Sequence, residues 1–273
     1  MIYKPLMDFR ERAEEVPAIA ELDEAGRAIF RRVIDATDPK RVAELQDKYR
    51  KELQDFDPIG PFKYADLPFW IAHKVSTARE LGLDRSEPKA ILDIGMGAGH
   101  FAAVCQALGH RVVGTDISVP LYDDICAVLE VDRRIEPTRH RTPLPNLGLK
   151  FDLVTVIWQV FHVLAVFPNG DREHWSIEDW EFFLSDLVSN HLNFPGTIYL
   201  YLNTNVSSTG EAFDPLFFQW CRGEGASVDD IQGKVLFNPI DGPSGPRLVA
   251  MLSGVAVEKN LLASHETIQA MRA

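Results

Sequence analysis

Three glycines within the nine residues Asp93-Ile94-Gly95-Met96-Gly97-Ala98-Gly99-His100-Phe101 restrict this chain more than any other feature. They follow Ala90-Ile91-Leu92-Asp93-Ile94, a short apolar run that reads as a buried strand, and they open a helix over His100–Leu108. Glycines at such a turn let the backbone come close to a ligand. The helix start adds free N–H groups and the positive end of a dipole. Short apolar runs and helical stretches continue to alternate downstream. Strands are predicted at Arg111–Thr115, weakly at Arg134–Thr138, and at Phe151–Trp158 and Gly196–Leu202, with helices at Leu121–Leu129 and Ser176–Leu192. This spacing implies βαβ units and a mostly parallel sheet. The end of the chain differs. After a helix at Asp214–Arg222, the strands Gly233–Asn238 and Arg247–Ser253 are joined by the eight residues Pro239–Pro246. That link is too short for a crossover and predicts an antiparallel hairpin.

The stretch before the sheet is of another kind. Residues 1–60 carry 11 Lys/Arg and 14 Asp/Glu and read as helical up to about residue 57. Ile19, Leu22, Ala25, Ile29 and Val33 recur at helical spacing, and a second helix is predicted from Pro39 to Leu53 with Asp38 as N-cap. Asp57-Pro58-Ile59-Gly60-Pro61 breaks the pattern, and a further helix follows over residues 66–83 with Trp70, Ile71, Val75 and Leu81 on its apolar side. The chain therefore divides into a helical extension, residues 1–85, and a ligand-binding α/β domain, residues 86–273. The extension is expected to pad the fold, to form a lid over a pocket, or to make a homodimer.

Charge and cysteine usage exclude several classes. A formal net charge of −12 without a basic stripe argues against nucleic acid and against an anionic membrane surface. Cys105, Cys126 and Cys221 form no C-x-x-C pair, so neither a disulfide framework nor a metal site is expected, and Asp171-Arg-Glu-His174-Trp175 has no common ligand spacing. The first twelve residues lack an apolar signal core. The longest apolar stretch, Leu153–Phe167, is shorter than the roughly twenty residues a membrane span needs. The expected setting is the cytoplasm.

Asp116 ends the second strand, where a carboxylate can accept both hydroxyls of a ribose. Loop and acid together point to a nucleoside-containing cofactor. Gly97-Ala-Gly99-His-Phe-Ala102 matches the dinucleotide pattern G-x-G-x-x-G/A, which supports an NAD-dependent oxidoreductase. Asp93 opposes it, because a carboxylate repels a nearby pyrophosphate and attracts a cation. The segment resembles motif I of the class I, Rossmann-like S-adenosylmethionine (SAM)-dependent methyltransferases, an acidic residue followed by x-G-x-G-x-G. The resemblance runs over about residues 88–255 and includes Gly114-Thr115-Asp116-Ile117-Ser118, Leu144-Pro145 ahead of Phe151-Asp152-Leu153-Val154, and the terminal hairpin.

The resemblance implies a seven-stranded, mostly parallel sheet with an antiparallel C-terminal hairpin, and methyl transfer from SAM with S-adenosylhomocysteine as product. In it, Gly95 and Gly97 admit the cofactor, Asp93 lies near its amino-acid end, Asp116 holds the ribose and Ile117 flanks the adenine. His140 stands where relatives commonly use an acidic residue for the adenine amine. Trp158, leaving the fourth strand, can cover a sulfonium or an adenine. His162 can act as general base and Asn203 can hold an acceptor hydroxyl. A small-molecule acceptor methylated on oxygen or nitrogen follows. The alternatives are the NAD enzyme and a SAM-binding scaffold without catalysis.

Overall fold

In a computed structural model, the described residues are 3–57, 60–159, 161–166, 172–202 and 215–242. They divide between two compact units, Met1–Arg139 with Phe151–Gln159, and His140–Lys150 with Val160–Ala273.

The first unit opens with α1 (Phe9–Glu15), α2 (Ala18–Glu21), α3 (Glu24–Ala36), α4 (Pro39–Lys48), α5 (Arg50–Gln54) and α6 (Leu67–Glu80). The charged stretch is broken into short helices because Asp8, Asp23 and Asp38 each cap a fresh start, accepting backbone N–H bonds from the first turn. The break at Asp23 also resets the register. Ala25 is therefore exposed, and the inner face of α3 is Gly26, Ile29, Phe30, Val33 and Ile34. Helix α6 is buried over most of its surface and packs on α1, α2 and α3. At its N-cap the Asp66 carboxylate takes the Arg12 guanidinium, Nη2 to Oδ2 at 2.7 Å and Nε to Oδ1 at 3.0 Å. It also accepts the Lys4 amide at 2.7 Å. This pair is fully enclosed and fastens the first residues to α6.

Four strands of the seven-stranded sheet belong to this unit: β1 (Ala90–Ile94), β2 (Arg111–Asp116), β3 (Arg133–Ile135) and β4 (Phe151–Ile157). They lie in the order β3-β2-β1-β4, all parallel, with α7 (His100–Ala107) and α8 (Pro120–Leu129) in the crossovers. The chain steps to one side of β1 for β2 and to the other for β4. Open α/β sheets leave a crevice for ligands at the carboxyl end of such a switch point. The register sets Asp93 beside Thr155 of β4 and Gly114 of β2.

In the second unit, β5 (His162–Val166) and β6 (Arg172–His174) form a separate antiparallel pair that periodicity did not reveal. The apolar stretch Leu153–Phe167 thus takes in residues of two strands, β4 and β5. Helix α9 (Ile177–Asp186) begins at a capping box made by Ser176 and Asp179, and passes into a π-helical turn at Leu187–His191 instead of continuing as α-helix to Leu192. The other three strands of the sheet are β7 (Leu192–Tyr201), β8 (Ser227–Asp229) and β9 (Lys234–Ile240), antiparallel in the order β7-β9-β8, with α10 (Pro215–Gly223) before β8. Among the described residues β8 and β9 form an antiparallel hairpin, and the predicted strand Arg247–Ser253 lies outside them. Phe161, Trp175, Trp180, Phe183 and Phe217 make the aromatic core, whereas Phe182 turns outward. Among the described residues no helix is long and apolar enough to cross a membrane.

Candidate functional site

The glycine loop is built by left-handed backbone. Gly95, Gly97 and Gly99 have φ of +69°, +58° and +78°, values that residues with a Cβ adopt at a cost. Each has a different neighbour. A Cβ on Gly95 would overlap the carboxamide of Gln159, and one on Gly99 would lie 2.7 Å from Val131 Cγ2 and 2.9 Å from Cys126 Sγ. A Cβ on Gly97 would meet open space. The loop is pinned to β2, with the Gly95 and Met96 amides both donating to the Thr115 carbonyl, at 2.8 and 3.2 Å.

Asp116 joins the loop to the end of β2. Its Oδ2 accepts the Gly97 amide at 2.6 Å and its Oδ1 accepts the Ile117 amide at 2.7 Å. A carboxylate has about four lone-pair sites, so each oxygen keeps capacity for a ligand hydroxyl. Arg133, at the start of β3, closes the arrangement. It donates to the Gly97 carbonyl at 2.8 Å, the Ile117 carbonyl at 2.5 Å and Asp123 Oδ1 at 2.7 Å. One rigid guanidinium fork thereby ties both loops that a ligand at the sheet edge must touch.

Beneath the loop lies a second charged group. Asp93 is 2% exposed and accepts from Thr155 Oγ1 at 2.8 Å. Lys74, from α6, is also buried, and its Nζ sits 3.7 Å from the centroid of the Trp158 ring. Burial raises the Asp93 pKa, opposed by the Thr155 hydrogen bond and by Lys74. Burial lowers the Lys74 pKa, opposed by Asp93. Beside them His100, the first residue of α7, is 4% exposed, and its Nε2 has no hydrogen-bond partner. Burial and then Lys74 push its pKa down to about 3, so the imidazole is neutral at physiological pH. Trp70 stands 5.8 Å from Trp158 and 6.4 Å from His100, and Tyr64 lies between Trp70 and Tyr122 at 4.7 and 5.5 Å. Trp158 itself has φ of +59°, an outlier for a bulky residue of the kind that gathers at ligand sites.

The first unit thus brings together Asp93, Gly95, Gly97, Asp116, Ile117 and Trp158, all six from the sequence analysis. Ile117 is 54% exposed at the rim. The other three are not among the described residues of this unit. His140 belongs to the second unit, where its Nε2 is 2.9 Å from Asp179 Oδ1 and its ring is 6.3 Å from Trp175. Burial raises the Asp179 pKa, but the Ser176 amide, Arg141 and His140 outweigh it and hold the carboxyl at about 2. His162 starts β5, paired in register with His174, and is not on a helix. Asn203 lies outside the described residues. Sequence reasoning missed Lys74, His100 and Arg133. The only signal was indirect: a lysine and a histidine within otherwise apolar stretches. No group of three His, Cys, Asp or Glu among the described residues is placed to hold a metal ion.

No known family profile and no curated protein matches this sequence. Among solved structures it is similar to CalS10, an amino pentose methyltransferase from Micromonospora echinaspora involved in calicheamicin biosynthesis. The identity is 19% over 49% of this chain and 51% of that one, at a TM-score of 0.35. It is also similar to a ribosomal protein L11 methylase from Lactobacillus delbrueckii subsp. bulgaricus, at 23% identity, 48% and 62% coverage and a TM-score of 0.32. For the PH0226 protein of Pyrococcus horikoshii OT3 the values are 18%, 66% and 80%, and 0.37. The chain spans about half the length of CalS10. Likenesses this loose favour no one chemistry, so the functional reading rests on the site.

Proposed function

We propose that this chain is a SAM-dependent methyltransferase acting on oxygen or nitrogen of a small-molecule acceptor. The observation that carries the reading is the bond from the Gly97 amide to Asp116. A pyrophosphate needs the loop amides as donors. Here that amide is already given to a carboxylate, and a second carboxylate, Asp93, is buried below the loop. A nucleoside that carries positive charge and no phosphate suits this field.

The residues present fit such a group. The open space beyond Gly97, the spare lone pairs of Asp116 and the orphaned Nε2 of His100 each leave room or valence for it. In this reading Asp116 holds the ribose, Ile117 flanks the adenine, Gly95 and Gly97 give close backbone approach, and Asp93 faces the amino-acid end. SAM, when bound, supplies a methyl group activated by a positive sulfur. The chain's own part is to orient the ligand and keep water out, which Trp70, Tyr64 and Trp158 do with their apolar surface. His162 takes the acceptor's proton and Asn203 holds its hydroxyl. His140 as an adenine contact also belongs to this reading, with Asp179 as its competing partner.

Calorimetry with S-adenosylhomocysteine and with NAD separates the readings. Micromolar binding of S-adenosylhomocysteine alone supports the proposal, and binding of NAD alone overturns it. Full turnover by His162→Ala removes His162 as the base.

A further inference from the structure

The second unit holds a cavity of about 360 Å³ lined by Leu144, Asn146, Leu149, Lys150, Asn190 and His191. Asn190 and His191 come from the π-helical turn at Leu187–His191, a local irregularity of the kind found at functional sites. His191 is 2% exposed, and its Nε2 is buried without a hydrogen-bond partner. Asp186 Oδ2 stands 3.7 Å from it, too far for a hydrogen bond. That carboxylate is engaged elsewhere, Oδ2 accepting the Leu144 amide at 2.9 Å and Oδ1 the Asn190 side-chain amide at 2.8 Å. Burial lowers the His191 pKa; Asp186 from α9 and the Leu144 backbone oppose the shift, and Lys150 adds to it. The ring is therefore neutral at physiological pH. Its single N–H serves the Leu144 backbone, which leaves Nε2 as an acceptor.

The rest of the lining adds donors. Lys150 Nζ gives one N–H to the Ser189 carbonyl at 3.2 Å and keeps two. Asn146 spends its Oδ1 on the Gly148 amide at 2.8 Å, so its side-chain NH2 is left to donate. An ammonium, an amide donor and an unfilled acceptor beside two leucines complement an anion that carries a hydrogen of its own. A carboxylate or a sulfate ester brings only lone pairs to Nε2. A phosphate monoester, with a second pKa of about 6, also brings a P–OH. We propose that this cavity binds a small phosphate monoester, its anionic oxygens on Lys150 and Asn146, its P–OH donated to His191 Nε2 and its organic part against Leu144 and Leu149. The volume lies within the roughly 300–1,000 Å³ of small-molecule pockets. A net charge of −12 opposes the anionic membrane surface that a phospholipid headgroup would bring. Asp186 is not part of the lining, so no carboxylate faces the phosphate there. The proposal does not depend on the cofactor reading.

The test is titration calorimetry of the full chain with phenyl phosphate and phenyl sulfate, which share a shape but differ in the ionisable proton. The wild type is expected to bind phenyl phosphate saturably, and at least tenfold more tightly than phenyl sulfate at about pH 6. From about pH 6 to about pH 8 the affinity for phenyl phosphate should fall at least tenfold as the P–OH is lost, while that for phenyl sulfate stays level. Lys150→Met, at an exposed position, should weaken phenyl phosphate at least tenfold. His191→Phe should abolish the pH dependence, with its melting temperature reporting whether it folds; if it does not fold, the wild-type profile and Lys150→Met decide. No binding of phenyl phosphate, equal affinity for the two esters, or an affinity that rises with pH overturns the proposal. So does an unchanged Lys150→Met, or a folded His191→Phe that keeps the pH dependence. Binding to phosphatidic acid vesicles without binding of phenyl phosphate overturns it in favour of a lipid surface.

Discussion

The carboxylate of Asp116 and the amide of Gly97 are 2.6 Å apart, although nineteen residues separate them in the chain. This bond ties the ligand loop after β1 to the acid after β2, so neither is set independently. Asp116→Ala removes the bond to the loop and the ribose acceptor together. The expected result is a stability loss of about 1–3 kcal/mol, the usual cost of unmaking a charge-assisted bond in a half-buried place, and loss of S-adenosylhomocysteine binding by more than about a hundredfold. Urea unfolding and calorimetry on the same sample measure both. Asp116→Asn should keep part of the stability and little of the binding.

Gly95 and Gly97 differ in a way that the sequence hides. Both have positive φ, but a Cβ on Gly95 collides with Gln159, whereas one on Gly97 enters free space. Gly95→Ala is therefore expected to destabilise by roughly 1–3 kcal/mol, from left-handed strain and from the shift its Cβ forces on the Gln159 side chain. Gly97→Ala should cost only about 1 kcal/mol of stability, from strain alone, and should weaken nucleoside binding more than tenfold because the methyl fills the ligand's space. Thermal melts with and without ligand distinguish the two. Equal melts for both variants would contradict the packing described.

The Arg12–Asp66 pair predicts a large single-residue effect far from the ligand. Their side chains are 3% and 0% exposed. Removing one partner of an enclosed ion pair leaves the other charge buried and typically costs about 3–5 kcal/mol. Arg12→Met should lose that much in urea unfolding. Arg12→Met with Asp66→Leu should recover most of it, since no charge then stays behind.

His100 predicts a pH dependence of stability. Its folded pKa is about 3 against 6.5 for the free side chain, because burial disfavours the charged ring. The unfolded chain therefore takes up the proton first. The contribution is complete above pH 6.5 and is lost as pH falls toward the folded value. Between pH 6.5 and about 4.5 the loss is roughly 2 kcal/mol at 1.4 kcal/mol per unit and proton. His100→Asn should flatten that limb of the curve. If the variant and the wild type lose stability in parallel over this range, the imidazole is not buried as described.

Local pattern was enough for the parts of the fold that are local. The strand Ala90–Ile94, the glycine loop, the helix after it and the acid at Asp116 follow from composition over a few residues, because backbone freedom and strand burial are properties of short segments. The cap at Asp38 was legible for the same reason. Ile29 and Val33 lie on the inner face of α3 as read, but Ala25 does not, since the break at Asp23 resets a helical register that periodicity alone assumes to be continuous. Strands β6 and β8 were missed because three residues carry too little alternation to distinguish a strand from a loop, and β5 because its apolar residues follow closely on those of β4.

What only the tertiary structure decided is the electrical character of the ligand site. Lys74 comes under the influence of Asp93 through the packing of α6 on α7, and Arg133 reaches two loops at once only because β3 lies beside β2. The amino-acid order alone places a carboxylate at the end of β1. Burial then raises its pKa and sets a lysine and a neutral histidine against it, because the free energy of a charge depends on what surrounds it in space and not on its neighbours in sequence.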